Sequence, residues 1–353
     1  MTTRYGAARA EVAEWLAAHD APRYRADQVW DALYRQRIAL EDATALPKAL
    51  RADLAAAFPL ALTEVTEALG DRATTIKWLW RAGDGVAIET VLMVSPSRAT
   101  VCVSSQAGCA MGCTFCATGQ AGFERHLDTG EIVEQVARAA IASPRPVTNV
   151  VFMGMGEPLA NVDATEAAVR RLHDDFGISA RRITVSTVGV VPGMRALAAW
   201  DLPVTLAVSL HAPDDDLRDT LVPLNRRYPI ADVLDAAAAY AAVRGRRVTF
   251  EYAAIAGVND APEQARALAR LLRPLGALGA HVNVIPLNPT ADFAGSAPDP
   301  ARIRAFADAL RGAGVNATVR RNRGTDIDAA CGQLRRRVVL IDRPPPGAAR
   351  MGR

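Results

Sequence analysis

From residue 98 onward, apolar strand-like runs alternate with helical patterns, and this alternation constrains the fold more than any other feature of the chain. The runs are Thr100 to Ser104, Val147 to Met153, Ile183 to Thr187, Val204 to Leu210, Val248 to Ala253, Val282 to Leu287 and Ala317 to Arg320. Between them, Glu131 to Ile141, Thr165 to Phe176, Ile230 to Val243, Ala261 to Leu272 and Pro300 to Leu310 carry helical periodicity. Strand and helix repeated in this way require parallel strands joined by right-handed crossovers, hence an α/β barrel or a doubly wound sheet. Asp128 followed by Glu131 predicts a capped helix start, and Gly177 a helix end.

The residues before this region read differently. Residues 1–58 are Ala-rich, with Trp15, Val29, Trp30, Leu33 and Tyr34 at helical spacing and a break at Leu46-Pro47, which predicts a small helical accessory module. Residues 59–98 carry β-like runs at Ile76 to Trp80 and Val86 to Met93, separated by turn signals at Gly70-Asp71 and Gly83-Asp84-Gly85, and predict a β-rich connector. The barrel with its C-terminal segment is expected over 99–340, and the Pro-rich residues 341–353 as a loose tail. The 353 residues suit about two domains at roughly 150 residues each. Half the residues are hydrophobic, which excludes general disorder. The longest apolar runs fall short of the roughly 20 residues of a membrane helix, and Arg9, Glu11 and Glu14 interrupt any secretory signal, so a cytoplasmic protein is expected. A net charge of +3 neither implies nor excludes a nucleic-acid partner.

Three of the five cysteines, Cys109, Cys113 and Cys116, crowd one short segment, while Cys102 and Cys331 stand apart. Zinc sites normally close four ligands as two pairs, and no second pair lies at such spacing. Three thiolates on one loop suit three irons of a cubane cluster and leave the fourth iron open to a small-molecule ligand. A zinc site completed by a distant histidine, or a grouping of buried thiols, stays open on the residues alone. By themselves, Cys102 reads as a core thiol on a strand, Glu89 as a solvated strand carboxylate, His211 as a core histidine, and Cys331 as a thiol on a mobile Gly/Ala loop.

The Cys-x-x-x-Cys-x-x-Cys spacing, with Phe115 before the last cysteine, resembles that of radical S-adenosylmethionine (SAM) enzymes. Their fold is a partial (β/α)6 barrel with a [4Fe-4S] cluster loop after the first strand. Further motifs narrow the resemblance: Val103-Ser104-Ser105-Gln106, Met153-Gly154-Met155-Gly156-Glu157-Pro158-Leu159, Ser209-Leu210-His211-Ala212, Ile285-Pro286-Leu287-Asn288-Pro289 and Asp328-Ala329-Ala330-Cys331-Gly332-Gln333-Leu334. Together, from about Arg23 to Leu340, they are similar to the RlmN-type RNA methyltransferases.

That resemblance implies cluster ligation by Cys109, Cys113 and Cys116 and SAM contacts at Gly156, Glu157, Ser186, Ser209, Leu210, His211 and Asn288. It implies methylation of adenosine carbon 2 in 23S rRNA, and in tRNA beside the anticodon. This carbon is electron-poor, so polar methyl transfer fails and a radical route is needed. In the family, the residue matching Cys331 takes a methyl group from one SAM, and a second SAM yields the radical that activates it. A covalent RNA adduct forms, the residue matching Glu89 accepts the proton, and the thiol matching Cys102 attacks Cys331 to release product through a transient disulfide. Two SAM per turnover, a flavodoxin or ferredoxin electron donor, no membrane and a monomer are implied. Carbon-8 methylation of the Cfr type uses the same cysteines and is the neighbouring alternative; a zinc-bound RNA-binding module is the non-catalytic one. Arg181-Arg182, Arg226-Arg227, Arg244 to Arg247, Arg320-Arg321-Arg323 and Arg335 to Arg337 are candidate phosphate contacts.

Overall fold

The computed structural model describes residues 2–320 and 322–334. Arg321, Arg335 to Arg337 and the tail expected at 341–353 lie outside the described residues. The chain opens with helices α1 (Arg9–Ala18), α2 (Tyr24–Trp30) and α3 (Lys48–Ala57). α2 runs directly into a wider π-helical turn, Asp31–Gln36, which ends at Arg37 in a left-handed conformation. The predicted stripe Val29, Trp30, Leu33 and Tyr34 is buried, and it packs into the same continuous core as the sheet. Polar side chains at the periphery fix the seating: Trp30 Nε1 donates to Asp175 (2.8 Å), and Arg171 donates to the Tyr34 hydroxyl (2.8 Å) and the Ala7 carbonyl (3.0 Å).

Strands β1 (Leu62–Gly70), β2 (Thr75–Ala82) and β3 (Ala87–Val94) follow as an antiparallel meander, and β3 pairs antiparallel with β4 (Ala99–Cys102). β1 has no counterpart among the β-like runs of the sequence, because Val65 and Leu69 sit on its exposed side and break the alternation that marks a half-buried strand. Beyond β4 come a hairpin of β5 (Gln106–Gly108) and β6 (Phe123–His126), with α4 (Ala117–Gln120) between them, and then α5 (Thr129–Ala142).

The expected alternation then runs through β7 (Val147–Phe152), α6 (Val162–Asp174), β8 (Ile183–Thr187), α7 (Val191–Ala199), β9 (Thr205–Ser209), α8 (Asp215–Leu221), α9 (Ile230–Arg244), β10 (Val248–Ala254), α10 (Pro262–Leu272), β11 (Ala280–Pro286), α11 (Pro300–Gly312) and β12 (Asn316–Val319). The helices α7 and α8 carried no sequence signal: one is short and opens on Pro192-Gly193, the other is acid-rich and barely two turns long.

All ten strands outside the hairpin form one sheet in the order β1-β2-β3-β4-β7-β8-β9-β10-β11-β12, parallel from β4 to β12. It is an open, partial barrel, with one short strand, β12, beyond the six of the expected (β/α)6 unit. The strands of 59–98 extend its β4 edge. The predicted helix start is present: Asp128 accepts from the Glu131 amide (2.8 Å) while Glu131 accepts from the Asp128 amide (2.9 Å), a reciprocal cap. Deeper on α5, buried Glu134 accepts from the amides of Ala61 (2.7 Å) and Leu62 (3.1 Å) and so pins the start of β1. Among the described residues no helix is long and apolar enough to cross a membrane.

Candidate active site

The cysteine loop leaves the β5–β6 hairpin rather than β4 itself. Gly108, at φ +80°, permits this exit, since a Cβ there would lie 2.0 Å from the Gly122 carbonyl oxygen. The loop is held by its own backbone and its neighbours: Cys109 N–H to Gly122 O (2.8 Å), Cys116 N–H to Cys113 O (3.1 Å) and Thr114 N–H to Leu221 O (3.0 Å). Burial pushes the Cys109 thiol up to about 12, and Cys113 rises well above its ordinary range through burial and then through its two cysteine neighbours. Thiolates here need a cationic partner, which a bound iron-sulfur cluster provides. Among the described residues no three Cys, His, Asp or Glu side chains meet closely enough to share one ion; the three thiols line one cavity together.

That cavity, about 160 Å³, brings Cys109, Cys113 and Cys116 together with Gly156, Glu157, Ser186, Ser209, His211 and Asn288, and with Cys331. Strand ends supply these side chains, as barrel enzymes do. The glycine-rich turn after β7 is close-packed: Gly156 has φ +101°, and a Cβ there would lie 2.5 Å from Gln106 Cβ. Gln106 in turn accepts from the Glu157 amide (2.8 Å). Glu157 accepts from the amides of Val188 (2.8 Å) and Leu159 (2.9 Å), yet burial pushes it up to about 7, a carboxyl that an ammonium group would return to its ionised form.

His211 adopts a left-handed conformation, φ +63°. Its Nδ1 accepts from the Ala253 amide (3.0 Å), and burial lowers it to about 3, so it is a neutral ring that is both hydrogen-bonded into the barrel and bordering the cavity. Asn288 donates Nδ2 to the Cys331 carbonyl (2.9 Å), while its buried Oδ1 has no hydrogen-bond partner among the described residues. An orphan acceptor on a cavity wall suits a ligand that brings donors, as the amino and hydroxyl groups of SAM do. Leu210 is buried and does not border this cavity; its backbone is already used, N–H to Glu251 O (3.1 Å) and O from Arg218 Nε (3.0 Å).

A second cavity, about 580 Å³, fills the barrel interior from Thr184, Thr205 and Thr249 near the strand starts up to Cys331. Cys102 borders this one and not the first, whereas Cys331 borders both. Burial pushes the Cys102 thiol up to about 12, with Cys331 the next contributor; Cys331 is an exposed residue by surface area, and its thiol is raised by desolvation in the site it borders. Both are free thiols.

The Cys331 segment is anchored rather than mobile. Gly324 N–H donates to Asp71 (2.7 Å), the Asp71 amide to Asp326 (3.0 Å), Arg323 to Val94 O (3.0 Å), Ala117 N–H to Gly332 O (2.8 Å) and Thr118 to Leu334 O (2.8 Å). Glu89 is fully buried and paired with Lys77 at 3.1 Å, not a solvated strand carboxylate, and it borders neither cavity.

Three residues outside the sequence motifs, Arg218, Lys77 and Glu251, and the motif residue Gln106 complete the site. Arg218 is wholly buried and donates to the carbonyls of Leu210, Ser209 and Val188 and to Asn225, bracing two strand ends. Gln106 holds the glycine turn, Lys77 holds Glu89, and Glu251 borders both cavities. The candidate arginines divide: Arg226 and Arg227 flank Met111 of the cysteine loop, Arg320 and Arg323 border the interior cavity, and Arg181 and Arg182 precede β8 at the strand starts. Arg244 and Arg246 are occupied with the Ala198 and Pro203 carbonyls.

Such a loop and turn on such a sheet place the chain among the radical SAM enzymes, and the radical SAM superfamily model matches residues 103–272. A crystal structure of a radical SAM methyltransferase from Sphaerobacter thermophilus superimposes with a TM-score of 0.90 and 53% identity, covering 96% of this chain and 100% of that one. Proteins described as probable dual-specificity RNA methyltransferase RlmN are 53% identical in Parafrankia sp. (strain EAN1pec), over 94% of this chain and 89% of the relative, and 54% identical in Mycolicibacterium paratuberculosis, over 89% of each. The chain belongs to the RlmN family of radical SAM enzymes and is a SAM-dependent RNA methyltransferase.

Proposed function

We propose that this chain methylates carbon 2 of an adenosine at the peptidyl transferase centre of 23S rRNA and of the tRNA adenosine 3′ of the anticodon. The observation that carries the reading is the position of Cys331 on the border of two cavities, one walled by the cluster cysteines and the SAM-side residues, the other by Cys102. A thiol that must take a methyl group on one side and deliver it on the other needs that position. Two RNA substrates accord with the dual specificity in the names of the relatives.

When bound, the [4Fe-4S] cluster and SAM supply a methyl group and the one-electron chemistry that activates it. Cys109, Cys113 and Cys116 hold the cluster; Gly156, Glu157, Ser186, Ser209, His211 and Asn288 orient SAM, with Leu210 behind them bracing the end of β9 through its backbone bonds to Glu251 and Arg218. Cys331 carries the methyl group and is joined through it to adenine carbon 2. Glu89 accepts the proton of that carbon, and the Cys102 thiolate attacks Cys331 to form the disulfide that frees the RNA. One SAM is used to load Cys331 and another to activate it. The reading further includes a flavodoxin- or ferredoxin-type electron donor, a monomeric enzyme and a cytoplasmic site of action. The target base must leave its stack to enter the barrel interior, and arginines near strand ends and around Cys331, Arg320 and Arg323 among them, are its phosphate contacts.

The test is anaerobic reconstitution with iron and sulfide, reaction with SAM, reductant and protein-free 23S rRNA or tRNA, and chromatography of the nucleosides against standards. 2-Methyladenosine supports the reading. 8-Methyladenosine moves it to the Cfr-type reaction, and a zinc-loaded protein yielding neither product overturns it.

A further inference from the structure

We propose that Lys77 is a positioning residue for the proton-removal step, holding the Glu89 carboxylate ionised and in register with the docked Cys331 segment. The inference rests on the reading of Glu89 as proton acceptor and adds a residue to it. Lys77 lies on β2, only 4% exposed, and its ammonium sits 3.1 Å from Glu89 Oε1 and 3.2 Å from the carbonyl of Asp328, three residues before Cys331. Glu89 lies on β3, and the two strands pair so that Lys77 faces Val91 while Glu89 faces Leu79, which sets the ion pair on the diagonal. Val91 borders the interior cavity together with Cys331, so the pair sits beside the chamber into which a base would be brought.

A buried ammonium is costly unless its hydrogens are taken up. Here one acceptor belongs to the base and the other to the segment that carries the methyl-bearing thiol. That segment arrives through Asp328, which holds a left-handed conformation at φ +51°, and through the contacts of Gly324 and Asp326 with Asp71. If the segment lifts away, Lys77 loses an acceptor, and the ion pair that orients Glu89 is left under-satisfied. Docking of Cys331 and readiness of the base are thereby one event. In the step itself the carbon-2 C–H bond breaks, both of its electrons stay with the ring, and the proton forms an O–H bond on Glu89; Lys77 keeps its own proton throughout.

The experiment follows three stages in the reconstituted enzyme: methylation of Cys331 by intact mass, formation of the covalent protein–RNA species on a denaturing gel, and its decay to methylated RNA. Lys77→Gln is expected to load Cys331 and form the adduct as the wild type does, but to resolve it at least about tenfold more slowly, within the range expected of acid–base positioning. Lys77→Arg, which keeps the charge, restores most of the decay rate. Should Lys77→Gln fail to fold, Lys77→Met, which keeps the aliphatic stem and drops the ammonium while leaving Glu89 in place, is expected to stall the adduct likewise, and wild-type decay in it overturns the inference. Adduct decay at the wild-type rate in the Lys77→Gln enzyme overturns the inference, as does loss of Cys331 methylation and adduct decay in equal proportion. Glu89→Gln separates the two readings: if it stalls the adduct while Lys77→Gln does not, only the role of Lys77 fails; if it turns over normally, the role of Glu89 fails and this inference with it.

Discussion

Asn288 donates its Nδ2 hydrogen to the carbonyl of Cys331 at 2.9 Å, so the asparagine at the end of β11 holds the thiol-bearing residue while its other amide atom, Oδ1, stays unpartnered on the cavity wall. One side chain thus serves both the position of Cys331 and the ligand side of the cavity. Asn288→Ala is expected to lower the rate of Cys331 methylation by about tenfold to a hundredfold, the usual cost of losing a supporting contact of this kind. Thermal stability should fall by no more than about 1 kcal/mol, since a single neutral hydrogen bond is lost. Comparing the rate of the 14-dalton mass gain with the melting temperature separates the two effects.

The two isolated cysteines predict opposite phenotypes. On the proposed mechanism Cys331→Ala removes the methyl carrier and leaves residues 109–116 and the glycine turn untouched, so it should abolish RNA methylation while 5′-deoxyadenosine still forms. On the same proposal Cys102→Ala removes the resolving thiol from the interior cavity, which both cysteines border, and should leave a protein–RNA adduct that survives denaturation. A Cys102→Ala enzyme that turned over at the wild-type rate would sink the disulfide step.

Gly156 offers a conformational test. Its φ of +101° is one that L side chains rarely adopt, and a Cβ would meet Gln106 at 2.5 Å. Gly85, at φ +92°, has nothing within 4 Å, so Gly85→Ala reports backbone strain alone. Each φ conflict costs about 1–3 kcal/mol; Gly156→Ala adds the clash and should be the more destabilising of the two. It should also raise the SAM concentration needed for half-maximal activity, which Gly85→Ala should leave unchanged. Equal stability losses in urea would mean that Gln106 yields without cost.

The barrel was legible from residue 98 because each strand carries apolar residues on its helix-covered face, and the crossover helices other than α7 and α8 show helical periodicity. Val150, Ile183, Val208 and Val282 announce themselves in this way. That Cys109, Cys113, Cys116 and the glycine turn belong to one cavity was legible because each motif is local in sequence and follows a strand. Lys77 and Glu251 were not, since each matters through partners far along the chain: Lys77 meets Asp328, and Glu251 meets Arg320; Arg218 was not because its partners, though near in sequence, are mostly backbone carbonyls, which leave no residue pattern. The burial of Glu89 was hidden for the same reason, because strand periodicity cannot say that a second layer will cover that face. The Cys331 segment read as mobile from its Gly and Ala content, yet its anchors are the side chains of Asp71 and Thr118 and the backbone of Val94, all more than 200 residues upstream.

Glu134 gives the fold a pH dependence of defined sign. Burial pushes its carboxyl from 4.5 up to about 7, against the opposing pull of the Ala61 and Leu62 amides and of Arg138 and Arg4. With the folded value above the unfolded one, the folded state holds the proton more tightly. The contribution is therefore complete below pH 4.5 and is lost as pH rises toward 7. At about 1.4 kcal/mol for each unit, the loss is up to about 3 kcal/mol. Glu134→Gln should flatten this part of the stability profile relative to the wild type, so the difference between their urea midpoints should change steadily from pH 4.5 to 7. Parallel profiles would show that the two amide hydrogen bonds keep the carboxylate ionised.

Glu251 distinguishes what serves the fold from what serves the reaction. The residue is 4% exposed, one carboxyl oxygen accepts from Asn283 at 2.9 Å, the other has no hydrogen bond among the described residues, and Arg320 stands 3.8 Å away, too far to supply one. Burial raises its protonation range, so an ionised Glu251 opposes folding. A carboxylate in such a place weakens the barrel interior, and it lies where the two cavities meet, beside Cys331. Glu251→Gln keeps the acceptor for Asn283 and removes the charge. It should raise stability by about 0.5–2 kcal/mol, the gain commonly seen when a functional site is relieved of an unfavourable group, while methylation falls at least about tenfold, within the range typical of a positioned polar group. Urea denaturation and product formation measured on the same preparation decide the matter: a variant that loses stability would show that Arg320 and Asn283 already compensate the charge, and one that gains stability with full activity would leave the carboxylate without a task in the reaction.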